Sequence, residues 1–399
     1  MRILPAFVLC LLAAAPTTAQ QPLYEEELIF PLDRLHNHSS SIVELPGGEL
    51  MVCWYRGSGE RTADDVQIMA ARRKPGEKNW GEPFVLADTP GFPDCNPVLF
   101  VDSRERLWLV WPVIVANEWH TALLKYRISS DYKRPGPPLW QVSEPWLVVP
   151  RNFQEKVRRA VEPLLVPDAP QLQQLWAKRL LERAADKYFT RMGWMPRNHP
   201  IELPSGRILL PLYSDGFSFS LIGITDDGGQ SWTTSEPLVG PGAVQPTLAR
   251  KRDGTLVAYM RDNGPPPKRV MTSISHDDGV TWSPVVDSDI PNPGASLEML
   301  VLRDGNWVRV YNDTERGRNS LVVAMSDDEG ATWKWKRHLE LDRREQGAGA
   351  FHYPSIIQAR DGSLHVTYSY FLNHLPAGEP RKTIKHVRFD TAWIRQGDP

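Results

Sequence analysis

The residues best suited to chemistry flank a series of strand pairs, either just before the first strand or just after the second. Histidine and aspartate transfer protons near neutral pH, and tyrosine can act as a nucleophile. Arginine binds carboxylates through two parallel hydrogen bonds. Together these side chains suit a pocket for an acidic sugar. The candidate site residues are His38, Arg56, Arg61, Asp65, Asn96, Gln245, Arg261, Arg318 and Tyr353. Further polar residues flank the same hairpins at 197–199, 214–215 and 352.

The elements that must position these residues form a repeat. An apolar strand, a turn rich in Gly and Asp, and a second apolar strand ending in an aromatic residue or Met recur along the chain. The copies are 39–55, 95–111, 198–213, 244–260, 295–311 and 353–369. Such turns between apolar runs indicate hairpins, and a period of about 50 residues is typical of propeller blades. The repeat predicts an all-β fold, a six-bladed β-propeller, whose inner strands surround a central cavity.

A second motif follows three of the hairpins, at 225–232, 275–282 and 326–333, and each copy ends in Trp. Its Asp can accept backbone N–H bonds within its own turn, its Gly adopts positive φ, and its Trp buries a large ring between blades. These features predict a structural role for Asp227, Asp277 and Asp328 rather than a catalytic one.

These motifs, with the six hairpins, resemble the sialidase superfamily of Asp-box propellers. The resemblance implies a secreted, exo-acting glycoside hydrolase that cleaves a terminal acidic sugar. It assigns Asp65 as acid/base, Tyr353 as nucleophile, and three arginines as carboxylate ligands. Those arginines are Arg56, Arg261 and Arg318. In this interpretation Arg61, Asn96 and Gln245 contact the substrate, and His38 shapes the pocket or joins the proton transfers.

Two positions depart from that family pattern. His38 stands where the family has its first arginine, and Gln245 stands where the family has the glutamate that activates the tyrosine. An amide cannot accept the tyrosine proton, and histidine is a poor bidentate clamp. Two alternatives therefore stay open: a His38-dependent lyase or rhamnosidase-type enzyme acting on uronate-containing glycans, and a non-catalytic glycan-binding propeller.

The composition and the N-terminal segment limit the classes of partner and the location that we expect for this protein. With 46 basic and 48 acidic residues, the net charge of -2 argues against nucleic-acid binding. Residues 1–19 read as a secretory signal peptide, so we expect a secreted protein, periplasmic or extracellular, with the propeller at 20–399. We expect no membrane span, no cofactor, no metal and a monomer whose partner is a glycan.

Cys53 and Cys95 could pair in an oxidising compartment or stay buried thiols.

One stretch interrupts the repeat. Residues 144–192 are rich in Leu, Ala, Arg, Lys and Gln, with apolar residues at helical spacing. We predict a helical insertion here. Its apolar stripe either packs on the flank of the propeller or forms a wall over the central cavity.

Overall fold

The computed structural model describes residues 21–399, so the predicted signal peptide lies outside the described residues. The described chain folds into six antiparallel sheets, five with four strands and one with five. The predicted six-bladed β-propeller is therefore confirmed. None of the helices within residues 21–399 has the length and hydrophobicity that a membrane-spanning helix requires.

Strands account for most of the regular structure. The first nine are β1 (Tyr24–Leu28), β2 (His36–Glu44), β3 (Leu50–Gly57), β4 (Gln67–Arg73), β5 (Phe84–Ala87), β6 (Val98–Val101), β7 (Leu107–Ile114), β8 (Ala122–Ser129) and β9 (Val142–Pro145). The next nine are β10 (Trp194–Pro196), β11 (Ile201–Glu202), β12 (Ile208–Ser214), β13 (Phe219–Thr225), β14 (Thr233–Thr234), β15 (Ala243–Arg250), β16 (Leu256–Asp262), β17 (Arg269–Ser275) and β18 (Val286–Pro291). The last seven are β19 (Glu298–Val301), β20 (Trp307–Tyr311), β21 (Ser320–Ser326), β22 (Trp335–Leu341), β23 (Ala350–Gln358), β24 (Leu364–Phe371) and β25 (Lys382–Phe389). The helices are α1 (Phe153–Val161), α2 (Gln171–Ala185), α3 (Lys187–Arg191) and α4 (Thr391–Arg395).

The two ends of the described chain close the ring in one sheet. Strand β1 pairs antiparallel with β25, and Glu27 lies opposite His386. The Glu27 carboxylate is bonded to His386 and also receives the Trp80 indole N–H and the Arg73 guanidinium. Pairing the two terminal strands covers β25 and makes the short strand β1 the outer edge of the last sheet.

The inner strands are tied to one another by side-chain hydroxyls. The hydroxyl oxygens of Ser41, Thr247 and Ser355 each accept a backbone N–H bond from the inner strand of an adjacent blade. The donors are Leu99, Met299 and Ile42. These three bonds join inner strands of neighbouring blades.

The motif that precedes the outer strands β14, β18 and β22 builds a closed turn. Asp277 accepts the backbone N–H and the hydroxyl of Thr281, at 2.9 and 2.6 Å. Ser275 donates its hydroxyl to Asp277 and accepts the N–H of Gly279, while the buried Trp282 donates its indole N–H to the Gly279 carbonyl. Both carboxylate oxygens of Asp277 are thus used within the turn, which agrees with the structural role predicted for Asp277.

Helices α1, α2 and α3 lie between β9 and β10, inside the segment predicted as an insertion. Val157, Ala177 and Leu180 are buried in a cluster with Trp194 on the flank of the propeller. Only part of the predicted stripe is buried, since Leu172 is 81% exposed. Flank packing, rather than a wall over the cavity, is the arrangement found, because helix α2 turns its Ala177–Leu180–Ala184 face inward.

Cys53 and Cys95 are both buried and free. Cys53 lies on β3, and Cys95 precedes β6 in the next blade. Burial raises the pKa of both thiols. Of the two possibilities predicted, the structure contains buried thiols.

Candidate functional site

A cavity of about 140 Å³ opens where the inner strands begin and the second strands end. Every residue in its lining comes from the start of an inner strand or from the end of a second strand and the loop that follows. The lining residues are His38, Tyr55, Glu60, Asn96, Trp119, Tyr213, Asp215, Gln245, Arg261, Asn263 and Tyr353. The residues that flank the hairpins in sequence therefore meet at one mouth, as the repeat predicts.

β-Bulges direct the inner-strand residues into this cavity. The pairing register shifts between His38 and Ser41, and equivalent shifts follow Val244 and His352 in their blades. Within these bulges Gln245 and Tyr353 have φ of 54° and 58°, values uncommon for residues other than Gly. Such backbone costs of the order of 1–3 kcal/mol and concentrates at functional sites. The bulges place His38, Gln245 and Tyr353 around the mouth.

Tyr353 lies among polar and positively charged side chains. Its phenol oxygen accepts hydrogen bonds from Gln245 Nε2 at 3.1 Å and from Arg261 Nη1 at 3.0 Å. The Arg197 and Arg318 guanidinium carbons lie 4.8 and 5.8 Å from the centre of its ring. Two donors and three positive charges surround one phenol, so negative charge developing on that oxygen would be stabilised.

His38 is buried against Tyr353, with ring centres 4.2 Å apart. Its Nδ1 is bonded to Ser369 Oγ at 2.7 Å. Burial, with the neighbouring His352 and His36, holds the pKa of His38 well below its usual range. His38 is therefore an uncharged imidazole at neutral pH, and it cannot bind a carboxylate as arginine does.

Glu60, on the loop after β3, places a carboxylate in the cavity. Its Oε1 is bonded to His36 Nε2 at 2.9 Å and accepts the Tyr55 hydroxyl at 2.7 Å. Partial burial disfavours its charge, but the bond to His36, the neighbouring histidines and the Tyr55 bond outweigh burial and lower the pKa of Glu60 to about 2. Glu60 is ionised throughout the physiological range.

Asp215, after β12, is the second carboxylate in the lining. Asp215 is exposed at the mouth of the cavity, and no hydrogen-bond or ion-pair partner contacts it within residues 21–399. Desolvation of its carboxyl group raises the pKa of Asp215, and the opposing charges of Arg261 and Arg61 only partly offset that shift. The two carboxylates thus differ in their tendency to hold a proton.

A buried charged cluster lies beside the site. Glu298 Oε1 accepts both the backbone N–H and Nδ1 of His199 at 2.8 Å, and Oε2 accepts the N–H of Ile356. Burial disfavours the charge on His199, but the opposing charge of Glu298 outweighs burial and raises the pKa of His199. The same contacts hold the pKa of Glu298 low despite its burial. Arg197, also buried, donates to the carbonyls of Ser40 and Pro354, so this cluster supports the bulges from behind.

A sequence match to the BNR repeat-like domain family spans residues 48–149 and 174–366. The chain belongs to this family. It is also 25% identical, over 190 residues, to the anhydrosialidase of Macrobdella decora. That alignment covers 42% of this chain and only 24% of the length of the relative.

Solved structures agree with the fold of this BNR repeat-like chain. The leech intramolecular trans-sialidase complexed with 2,7-anhydro-Neu5Ac superposes with a TM-score of 0.68 at 14% identity, covering 93% of this chain and 71% of that one. The NanB sialidase of Streptococcus pneumoniae superposes with a TM-score of 0.67 at 12% identity, covering 92% and 71%. At these identities the similarity shows the fold alone, a sialidase-like six-bladed propeller.

The BNR repeat-like chain brings five of the nine predicted site residues into the cavity lining. They are His38, Asn96, Gln245, Arg261 and Tyr353. Asn96 donates from Nδ2 to the Tyr213 hydroxyl at 3.2 Å. Arg318 lies behind Tyr353 and donates to the Gly294 carbonyl at 2.7 Å.

The other three predicted residues lie outside the lining. Arg56 is paired with Asp33 at 2.8 Å. Arg61 lies beside the cavity, 5.7 Å from the ring centre of Trp119. Asp65 is exposed, and both its oxygens accept the backbone N–H of Ser58. Since Asp65 caps its own loop, its position gives no support to the acid/base role predicted for it.

Sequence reasoning missed Glu60, His36 and Trp119 as components of the site. Glu60 lies in the same loop as Asp65, and the only signal for it was that loop's place after the first hairpin. His36 lies two residues before His38 on the same strand, so the alternation of side chains pointed to it. Trp119 belongs to a 3₁₀ turn after β7, which carries no motif.

Proposed function

We propose that this protein is an exo-acting glycoside hydrolase of sialidase-like construction, which removes a terminal acidic sugar from glycans. The observation that carries the proposal is the Tyr353 phenol, hydrogen-bonded by Arg261 and Gln245 at an open cavity. The relatives named sialidase and trans-sialidase support a sugar of the sialic acid type as substrate. Export, from the apolar run at 3–15, belongs to the same proposal.

In this mechanism Arg261, in the cavity lining, binds the sugar carboxylate beside Tyr353, and the positive charge of Arg318 acts from outside the lining. Tyr353 attacks the anomeric carbon, and the two hydrogen bonds it already accepts stabilise the charge on its oxygen. Gln245 cannot accept the phenol proton, because it stands there as an amide that donates. We assign that proton to His38, which is uncharged and packed against the Tyr353 ring.

A mass-resolved glycan panel tests this function. The purified chain is incubated with sialosides and with rhamnosyl-glucuronate or other uronate oligosaccharides. Hydrolysis adds one water to the products. Tyr353→Phe should lower kcat by at least about a thousandfold, while Tyr370→Phe, a tyrosine in the same blade that stacks on Phe351, should leave it unchanged.

One observation favours a second candidate. Gln245 in place of a carboxylate, beside a neutral His38, also suits a lyase in which His38 removes a proton from a uronate and Tyr353 protonates the leaving oxygen. Products from uronates without added water, lost in His38→Ala, would establish that reaction instead. Binding of glycans without any product would leave a non-catalytic glycan-binding propeller.

A further inference from the structure

The cavity contains two carboxylates whose contacts differ completely. Glu60 receives bonds from two side chains, whereas Asp215 receives none from the described residues. Neither is the Asp65 that the sequence indicated. A reaction that needs one proton donor and one proton acceptor requires two such groups with opposite tendencies.

A series of hydrogen bonds leads to Glu60 from outside the cavity. Lys382 Nζ, on the ring-closing strand β25, lies 3.0 Å from His36 Nδ1. An ammonium can only donate, so His36 Nδ1 accepts and its proton is on Nε2, facing Glu60. Tyr55 donates to the same carboxylate oxygen. This chain leaves Glu60 one direction for further bonding, through Oε2 toward the cavity.

Other charged and titratable groups act on Glu60 from the neighbouring elements. They are His36 and His38 on β2, Tyr55 on β3, Arg318 on the loop before β21, and Lys382 on β25. Two of these groups donate directly to the carboxylate, and the positive charges among them all favour the anion. Glu60 is built to stay a carboxylate and to accept.

Asp215 has the opposite setting. It follows β12 at the mouth, beside Tyr213, and Arg261 and Arg61 are the positive charges that act on it. Neither arginine bonds to it: Arg261 is committed to Tyr353, and Arg61 to the ring of Trp119. A carboxyl group without donors keeps its proton more readily than one with two donors.

We propose that Asp215 and Glu60 divide the proton transfers of the hydrolysis: Asp215 protonates the leaving oxygen, and Glu60 takes a proton from the attacking water. The proposal rests on the proposed glycosidase function. In the first step the glycosidic C–O bond breaks, the Asp215 proton goes to the leaving oxygen, Tyr353 Oη bonds to the anomeric carbon, and the phenol proton goes to His38.

In the second step water attacks the anomeric carbon and the bond to Tyr353 breaks. One water proton goes to Glu60, and the Tyr353 oxygen recovers its proton from His38. Glu60 then releases its proton to solvent and Asp215 takes one up. The sum is one glycoside and one water converted to the free sugar, a hemiacetal or hemiketal, and one alcohol, with every group restored.

The acid role of Asp215 is tested by leaving-group dependence. With a sialyl-lactose substrate, Asp215→Asn should lower kcat by about 10²–10⁴-fold. With a nitrophenyl glycoside, whose leaving group needs no proton, the loss should be less than about tenfold. Asp88→Asn is the control, since Asp88 bonds to Gln67 away from the cavity. Equal losses on both substrates would overturn the role of Asp215.

The base role of Glu60 is tested on the second step. Glu60→Gln should accumulate a glycosyl adduct on Tyr353, visible by intact-protein mass, and azide, which needs no base, should restore turnover. Lys382→Met should move the acid limb of kcat/KM up by about 1 pH unit, because it removes a positive charge that attracts the Glu60 carboxylate. A purely structural lysine would leave that limb in place.

Failure of this proposal differs from failure of the proposed function. If the wild type turns over substrate and the turnover of Glu60→Gln is within threefold of the wild-type value, the role of Glu60 is overturned and the proposed hydrolase function stands. Retained activity in Glu60→Gln with loss in Asp65→Asn returns the role to Asp65. No wild-type turnover on any glycoside of the panel overturns both the function and the division of roles.

Discussion

Glu298→Gln is expected to destabilise the propeller strongly, and more at mildly acidic than at alkaline pH. Glu298 is 2% exposed and receives three hydrogen bonds, from the N–H and Nδ1 of His199 and the N–H of Ile356. It is also the opposing charge for the buried Arg197. Glutamine keeps the shape of the side chain but removes its charge. Its amide nitrogen is a hydrogen-bond donor and would face one of these N–H groups, which are donors as well.

The magnitude follows from breaking a buried ion pair by removing one partner, which costs about 3–5 kcal/mol. The pKa values of His and Glu in the unfolded chain, about 6.5 and about 4.3, set the pH window. His199 has a raised pKa, so its contribution is complete below about 6.5 and is lost as pH rises through its folded pKa. Glu298 has a lowered pKa, so its contribution is complete above about 4.3 and is lost as pH falls through its folded pKa.

The decrease in the free energy of unfolding caused by Glu298→Gln should therefore be largest between about pH 4.3 and 6.5. It should be smaller by about 1 kcal/mol or more at pH 9. Urea unfolding followed by tryptophan fluorescence, at pH 5.5 and pH 9, measures it for wild type and variant. Glu345→Gln, in an exposed loop, is the matched control. A loss below about 1 kcal/mol at pH 5.5, or the same loss at both pH values, would refute the reasoning.

Three further predictions concern the insertion, the packing and the proton chemistry. Arg183→Ala removes the bond at 2.6 Å that holds the Gly216 carbonyl beside Asp215; KM should rise several-fold with little change in melting temperature, and an unchanged KM would show that α2 does not support the site. Gly223→Ala should cost about 1–3 kcal/mol in urea unfolding, because a Cβ there would overlap the Trp146 ring; a neutral result would mean that the ring can move. The pH profile of kcat/KM should show no limb near 6.5 from His38, whose pKa is held far lower; a limb there that disappears in His38→Ala would contradict the neutral imidazole.

The support that the insertion gives the cavity was not visible in its sequence. Gly193, at the end of the insertion, packs so closely on the backbone of His120 that a Cβ would lie 2.8 Å from its Cα. Gly216 packs on the His120 side chain from the other side. Trp119 and Asp215, both in the lining, are the chain neighbours of these residues. An insertion that packs on the flank thus still shapes the mouth, through backbone contacts that no helical periodicity predicts.

The propeller could be predicted from the sequence because its determinants are local. Each blade repeats the same strand, turn and strand within a short window, and turn residues such as Gly254 and Gly305 adopt the positive φ that their type allows. The mouth could be predicted as well, since a repeat places every hairpin start at the same end. The sequence alone therefore sufficed to place His38, Gln245 and Tyr353 at the mouth.

Only the tertiary structure decided which polar side chains contact one another at the mouth. The chain from Lys382 through His36 to Glu60 joins the last strand of the propeller to its first blade, and nothing local links 382 to 36. Asp65 and Glu60 lie five residues apart in one loop, yet loop geometry turns one toward Ser58 and the other into the cavity. Turn and strand preferences act over neighbouring residues, whereas the direction and the proton affinity of a side chain depend on whatever the closed ring brings against it.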